Sequence, residues 1–190
     1  FKEMLEGFAL HEIILDSNGT PSDYRYIAVN PAFERLTGLK AEDLIGRTVL
    51  EVMPGTESYW IDTFGRVAVT GEPKTFENYA SELDRYFKVS AFCPSPGQFA
   101  CVFSDITQSK QDEIALRQSE QRFLTVLNSI DAMVYVNDMQ TYEILFMNQF
   151  MIDVYGKDYT GNPCYQVFRN ETGPCSSCRV DQMLDADGRP

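Results

Sequence analysis

The apolar positions of this chain change period several times, and each change falls at Gly, Pro, Asn or Asp. Residues 1–6, FKEMLE, place Phe1, Met4 and Leu5 at helical spacing and predict a short cap helix. GFALHEIILD reads as a strand, DSNGTP as a turn in which Asn-Gly favours positive φ, and SDYRYIAVN as the antiparallel partner. Asn30 then predicts a helix N-cap, with Pro31 at the first helical position, where a missing N–H costs nothing. Ala32, Phe33 and Leu36 line one face of that helix, and Gly38 stops it. KAEDLIGRTVLEVMP predicts two short helical turns broken at Gly46 and Pro54. ESYWIDTFGRVAVTGEP predicts a longer helix, apolar at Trp60, Ile61, Phe64, Val67 and Ala68. Three strands follow in KTFENYASEL, RYFKVSAFC and GQFACVFSDIT. In the second, Phe87, Val89, Ala91 and Cys93 make one apolar face; the third is apolar on both faces, as a central strand is. This order predicts an α+β domain over residues 1–107, a five-stranded antiparallel sheet with its helices on one face and an enclosed space between them.

At Thr107 the punctuation stops. TQSKQDEIALRQSEQRFLTVLNSI has no Gly or Pro and predicts a connecting helix over 108–130. Ile106, Ser109, Glu113, Leu116, Glu120, Phe123, Leu127 and Ile130 fall at 3,4 spacing, and only the later half of that seam is apolar. It is either a solvated connector or a dimerising seam; the seam is favoured, since an isolated helix of this polarity gains little by folding. The first pattern then restarts. FLTVLNSI is similar to FKEMLEGF, AMVYVNDMQ to the first strand and turn, YEILFMN to YRYIAVN, and NQFMIDVYG to NPAFERLTG. Asn30 and Asn148, like Gly38 and Gly156, stand 118 residues apart. A repeat of whole-domain size follows, with a partial second domain over 131–190 that lacks counterparts of the last three strands.

Composition changes this picture little: 44% hydrophobic and 23% charged residues fit an ordinary globular protein. Charge narrows it more. A net −12, from 16 Lys and Arg against 28 Asp and Glu, repels phosphate backbones and anionic lipid. No nucleic-acid partner and no membrane contact is expected of these residues, and no apolar run is long enough to span a bilayer. The start at Phe1 rather than Met predicts a piece of a longer protein. Five cysteines, Cys93, Cys101, Cys164, Cys175 and Cys178, are an odd number, two of them in apolar strands. That points away from a disulfide framework and toward a reducing cytoplasm. A single histidine, His11, rules out His-rich metal sites, and no nucleophile–base pair stands out, so no enzyme is predicted here.

Two segments, VNPAFERLTGLKAEDLIGRTVLEVMP and RYFKVSAFCPSPGQFACVFSDIT, resemble the PAS sensory-domain family, of the S-box type. The Asn, the Phe three residues on, the Thr-Gly and the later Ile-Gly-Arg match its central segment. Asp105, Ile106 and Thr107 match its usual exit into a signalling helix. The resemblance spans residues 1–107 fully and 119–190 in part. It implies tandem PAS domains acting as a cytoplasmic input module of a bacterial signalling protein, such as a two-component sensor histidine kinase, a diguanylate cyclase or a phosphodiesterase. It also implies a cavity for a small ligand, a homodimer, and output through flanking helices.

The family's cofactors can be tested by residue. A photoactive flavin needs a reactive Cys near 46–54, and GRTVLEVMP has none. Haem needs a His on the long helix, and ESYWIDTFGRVAVTG has none. A small organic ligand remains, with Trp60, Phe64, Asn78 and Phe87 as candidate contacts; packing is the plainer role for the aromatic ones. Asn78 shares the phase of Phe76, and a buried amide needs a partner. His11 and Glu12 point to opposite faces of their strand, and His11 is expected to serve packing by a cap helix or second copy on the outer face.

In the second copy, CYQVFRNETGPCSSC separates Cys164 from Cys175 by ten residues and Cys175 from Cys178 by two. A subset of PAS domains resembles this Pro-Cys-x-x-Cys insertion. The thiols are inert, form a redox pair, or hold a metal together with a fourth ligand such as Asp181. Three functions follow: a ligand-binding sensory module, a ligand-free dimerisation module, or a cysteine-based redox or metal sensor. The first is preferred.

Overall fold

A computed structural model of the chain describes residues 5–176 and 178. The cap helix expected over 1–6 falls mostly outside that range; Leu5 and Glu6 form a bend. The chain divides into two compact units at Ile114/Ala115.

The first unit opens with β1 (Gly7–Leu15) and β2 (Pro21–Val29), an antiparallel hairpin closed by the DSNGT turn. Four helices follow: α1 (Pro31–Thr37), α2 (Ala41–Leu44), α3 (Val49–Val52) and α4 (Ser58–Thr70). Then come β3 (Lys74–Ala80), a 3-10 turn (Ser81–Leu83), β4 (Arg85–Phe92) and β5 (Gln98–Asp105). All pairings are antiparallel, in the order β2-β1-β5-β4-β3. So β5 is central, as its two-sided apolar pattern predicts, and Phe99, Ala100, Cys101 and Phe103 are buried. The inner face receives α4, whose Trp60, Ile61, Phe64, Val67 and Ala68 are all buried. Gly65 lets that helix approach β2: a Cβ there would collide with the ring of Pro21. Burying each of these larger side chains stabilises by about 1.5–3 kcal/mol, so the α4–sheet layer dominates the unit's stability.

From Thr107 to Asn128 runs α5, with no buried residue. Leu116 and Phe123 are 63% and 62% exposed.

The second unit holds β6 (Tyr135–Asn137) paired antiparallel with β7 (Ile144–Met147), then α6 (Gln149–Tyr155) and α7 (Cys164–Arg169). Its core is small: Ile144, Met147 and Met151, with Tyr155, Val167 and Phe168 packed against them. Among the described residues no counterparts of β3, β4 and β5 follow.

The repeat is geometric. In the first unit Asn30 Oδ1 accepts from the N–H of Phe8 (2.9 Å) and of Phe33 (2.8 Å), while its amide donates to Glu6 O (3.0 Å). In the second, Asn148 Oδ1 accepts from the N–H of Val134 (3.0 Å) and of Met151 (3.1 Å), and its amide donates to Leu127, Ile130 and Ala132 carbonyls. Each Asn thus caps a helix and ties it to the strand beside it. Both helices end on a left-handed Gly, Gly38 at φ 78° and Gly156 at φ 80°. The bonded pairs also correct the expected alignment. Phe8 lies 22 residues before its Asn and Val134 only 14, so the second hairpin is shorter and FLTVLN belongs to α5, not to an opening segment.

Candidate functional site

Between α4 and the inner face of the first sheet lies a cavity of about 90 Å³. That is several times the roughly 10–15 Å³ needed to admit one water, enough for a few waters or a compact organic molecule. Its sheet wall comes from alternate strand positions: His11 on β1, Tyr24 and Tyr26 on β2, Phe87 on β4, and Cys101 and Phe103 on β5. Its helical wall is Phe33 of α1 with Trp60 and Phe64 of α4. The mouth is framed by Thr56 and Glu57 before α4, and by Ala80, Glu82 and Leu83 around the 3-10 turn.

Two carboxylates clasp that mouth. Glu57 Oε1 accepts the N–H of Ser81 at 3.0 Å, and Glu82 Oε1 accepts the N–H of Gly55. Each acid therefore holds the backbone of the opposite rim. Burial pushes the Glu57 carboxyl up, but the Ser81 hydrogen bonds and the Trp60 indole nearby outweigh it, leaving it below the usual carboxylate range. Glu57 is ionised at neutral pH.

Inside, His11 is 3% exposed and stacks on Phe99 (4.5 Å between ring centres), which stacks in turn on Phe64 (4.6 Å). Burial lowers the His11 pKa to about 3, so the ring is neutral. Among the described residues its Nδ1 has no hydrogen-bond partner, and the indole Nε1 of Trp60, 7% exposed, makes no well-formed bond beyond its interaction with Glu57. Buried polar atoms are ordinarily paired, so His11 Nδ1 on the sheet wall is open to a polar group inside the cavity. Tyr24 and Tyr26 hydrogen-bond each other, and burial first of all holds both phenols well above their ordinary pKa. Burial pushes the Cys101 thiol up to about 12, which keeps it protonated.

A second constellation lies where β5 meets α5. Arg85 Nη1 donates to Asp105 Oδ2 at 2.8 Å, and Asp105 Oδ1 accepts the N–H of Thr107 at 2.9 Å. Thr107 Oγ1 accepts the N–H of Tyr86 (2.9 Å), and Ile106 donates its own N–H to Tyr86 O (2.9 Å). Lys110 Nζ, one turn into α5, pairs with Glu77 of β3 at 2.9 Å. Burial alone would raise Asp105, but Thr107 and Arg85 overcome it and hold it below the usual range. The first turn of α5 is thus bound to the start of β4, two residues beyond the clasp's 3-10 turn.

The expected contacts divide. Trp60, Phe64 and Phe87 stand on the cavity wall. Asn78 does not: β3 is the edge strand, Asn78 is only half-buried opposite Phe87, and the strand meets the cavity at Ala80 instead. His11 was expected to pack on the outer face. It points inward with Ala9 and Ile13, and Glu12 is the exposed one. Both phases of β1 carry apolar residues, so alternation left the face open. Sequence reasoning missed Tyr24, Tyr26, Glu57 and Glu82; the Tyr-x-Tyr alternation in SDYRYIAVN was a usable signal, whereas the clasp acids come from turns with no period.

In the second unit Cys164 opens α7, with its N–H bonded to Tyr142 O, and its side chain packs on the small core. Partial burial first, then Cys175 and Cys178 nearby, push its thiol up. Cys178 donates its N–H to Cys175 O at 3.0 Å, closing a turn. Among the described residues no three His, Cys, Asp or Glu side chains gather closely enough to hold a metal; Asp181 lies outside them.

Comparison with known proteins matches residues 21–111 to the family described as PAS fold and residues 121–186 to that described as PAS domain. No curated protein matches the chain. Similar solved structures include an RNA-binding light-oxygen-voltage receptor, 18% identical with a TM-score of 0.43, over 63% of this chain and 34% of that one. A domain of a sensory box sensor histidine kinase/response regulator from Geobacter sulfurreducens is 21% identical, TM-score 0.38, over 55% and 87%. A domain of an HTR-like protein from Haloarcula marismortui is 21% identical, TM-score 0.37, over 55% and 100%. The chain spans about a third of the length of the light-oxygen-voltage receptor it matches. Among the described residues no helix is long and apolar enough to cross a membrane.

Proposed function

Because the chain belongs to the PAS family and carries two PAS domains in tandem, we propose that it is the sensory input module of a cytoplasmic signal-transduction protein, with a small organic molecule as its signal. The ligand occupies the first cavity, and its presence is passed through Asp105, Ile106 and Thr107 into α5. The output, a histidine kinase, cyclase or phosphodiesterase activity, belongs to the parent protein.

One observation carries this reading. The 3-10 turn that clasps the cavity mouth leads within three residues to Arg85 and Tyr86, which hold the start of α5. A ligand that shifts Glu57 or Glu82 acts on the same backbone that fixes the exit. Such coupling requires two arrangements of one element, with the ligand preferring one of them. The exposed Leu116 and Phe123 on α5 support a homodimer as the means by which the helix reports its state. Native mass spectrometry of freshly purified protein tests both parts. The expected result is a dimer of the 21.6 kDa chain with added small-molecule mass. A bare monomer, together with no thermal shift across a metabolite library, would remove the reading.

A further inference from the structure

The chemistry of the cavity wall narrows the ligand class. Among the described residues, seven of the side chains around it are aromatic carbocycles or indole, and none is Lys or Arg. His11 adds no charge, being neutral. The fixed charges at the mouth are the two clasp carboxylates, Glu57 and Glu82. An anionic metabolite would meet no cation and two like charges, at a desolvation cost that nothing repays. A plain hydrocarbon would leave His11 Nδ1 buried without a partner. Aromatic faces around a space of this size, with carboxylates at one end, suit a positive charge by cation–π and Coulomb attraction. The net charge of −12 favours approach of the same sign of ligand.

We propose that the first cavity takes a compact organic cation of the amine or ammonium class, bearing a hydroxyl or N–H able to bond His11. The aromatic faces of Tyr24, Tyr26, Trp60 and Phe64 hold the cationic head, and Glu57 and Glu82 balance it at the mouth. This rests on the cavity being a ligand site, and the test separates the two claims.

Three probes of nearly one shape are titrated into the full chain: choline, its uncharged carbon counterpart 3,3-dimethylbutan-1-ol, and the anion 3,3-dimethylbutanoate. Tetramethylammonium serves as a smaller cation. Trp60 is the chain's single tryptophan, so its fluorescence reports the cavity directly. A cation should bind at least about tenfold more tightly than the neutral alcohol, as expected where a cation–π contact is desolvated, and the anion should not bind. The double variant Glu57→Gln, Glu82→Gln keeps a carbonyl oxygen for the Ser81 and Gly55 N–H groups. It should lose most of the cation preference while the alcohol's affinity changes less than about twofold. If the alcohol or the anion binds as well as either cation, the charge class is wrong and the ligand site stands. If none of the four alters Trp60 emission, both claims fall.

Discussion

The two units place the same device in different surroundings. Asn30 and Asn148 each cap a helix and hold a strand, with bonds of similar length and a left-handed Gly closing each helix. In the first unit that device sits within a five-stranded sheet whose inner face, covered by α4, encloses a cavity. In the second it sits on two short strands, with three buried apolar residues; Tyr135, Val136 and Leu145 of its strands are exposed. The comparison teaches that the Asn–helix–Gly junction is local. It forms wherever one hairpin and one helix meet, whereas a ligand cavity requires the far strands and the long helix.

Deleting the Asn side chains should break this comparison hardest. Asn30→Ala and Asn148→Ala each leave backbone groups without their side-chain partner, at about 1–3 kcal/mol per group, so that each variant should lose at least about 3 kcal/mol. Asn148→Ala should unfold the second unit, seen as lost amide protection, while the Trp60 fluorescence transition of the first stays in place. A joint loss would show that the units do not stand separately.

Titration sharpens the contrast, because only the first unit has a histidine. His11 has a folded pKa of about 3, below its unfolded value of about 6.5. The unfolded chain therefore binds the extra proton between those values. Stability is full above about pH 6.5 and falls as pH drops, by up to about 1.4 kcal/mol per pH unit, or about 2–3 kcal/mol between pH 6 and 4. Urea melts followed at Trp60 should show this slope, and His11→Phe, which keeps a ring on Phe99, should flatten it.

Gly38→Ala and Gly156→Ala should each cost about 1 kcal/mol, and by similar amounts, since both occupy the left-handed region with open space around the missing Cβ. Unequal costs, read from denaturant midpoints, would mean the two junctions are not equivalent. The smallest effect concerns the exit. Arg85→Ala should change global stability by less than about 1 kcal/mol, because the pair is partly exposed. It should still raise hydrogen exchange at the first turn of α5. The depressed Asp105 predicts the same loosening as pH falls below the ordinary carboxylate range near 4, through the folded pKa, with the contact intact at neutral pH.

Residue pattern by itself determined the order of elements, the central place of β5, both Asn caps and both Gly stops. These depend on local chemistry: a side-chain oxygen three residues before an N–H, a missing Cβ at positive φ, a period of two or 3.6. Trp60, Phe64 and Phe87 were legible as inward residues for the same reason. Tertiary structure alone decided the face of His11, since β1 is apolar on both sides and only pairing with β5 and the approach of α4 choose between them. It alone moved Asn78 off the cavity, by making β3 an edge. It alone brought Glu57 and Glu82, 25 positions apart in irregular segments, to one mouth, because a clasp between loops has no periodicity to read and exists only once the sheet has closed beneath it.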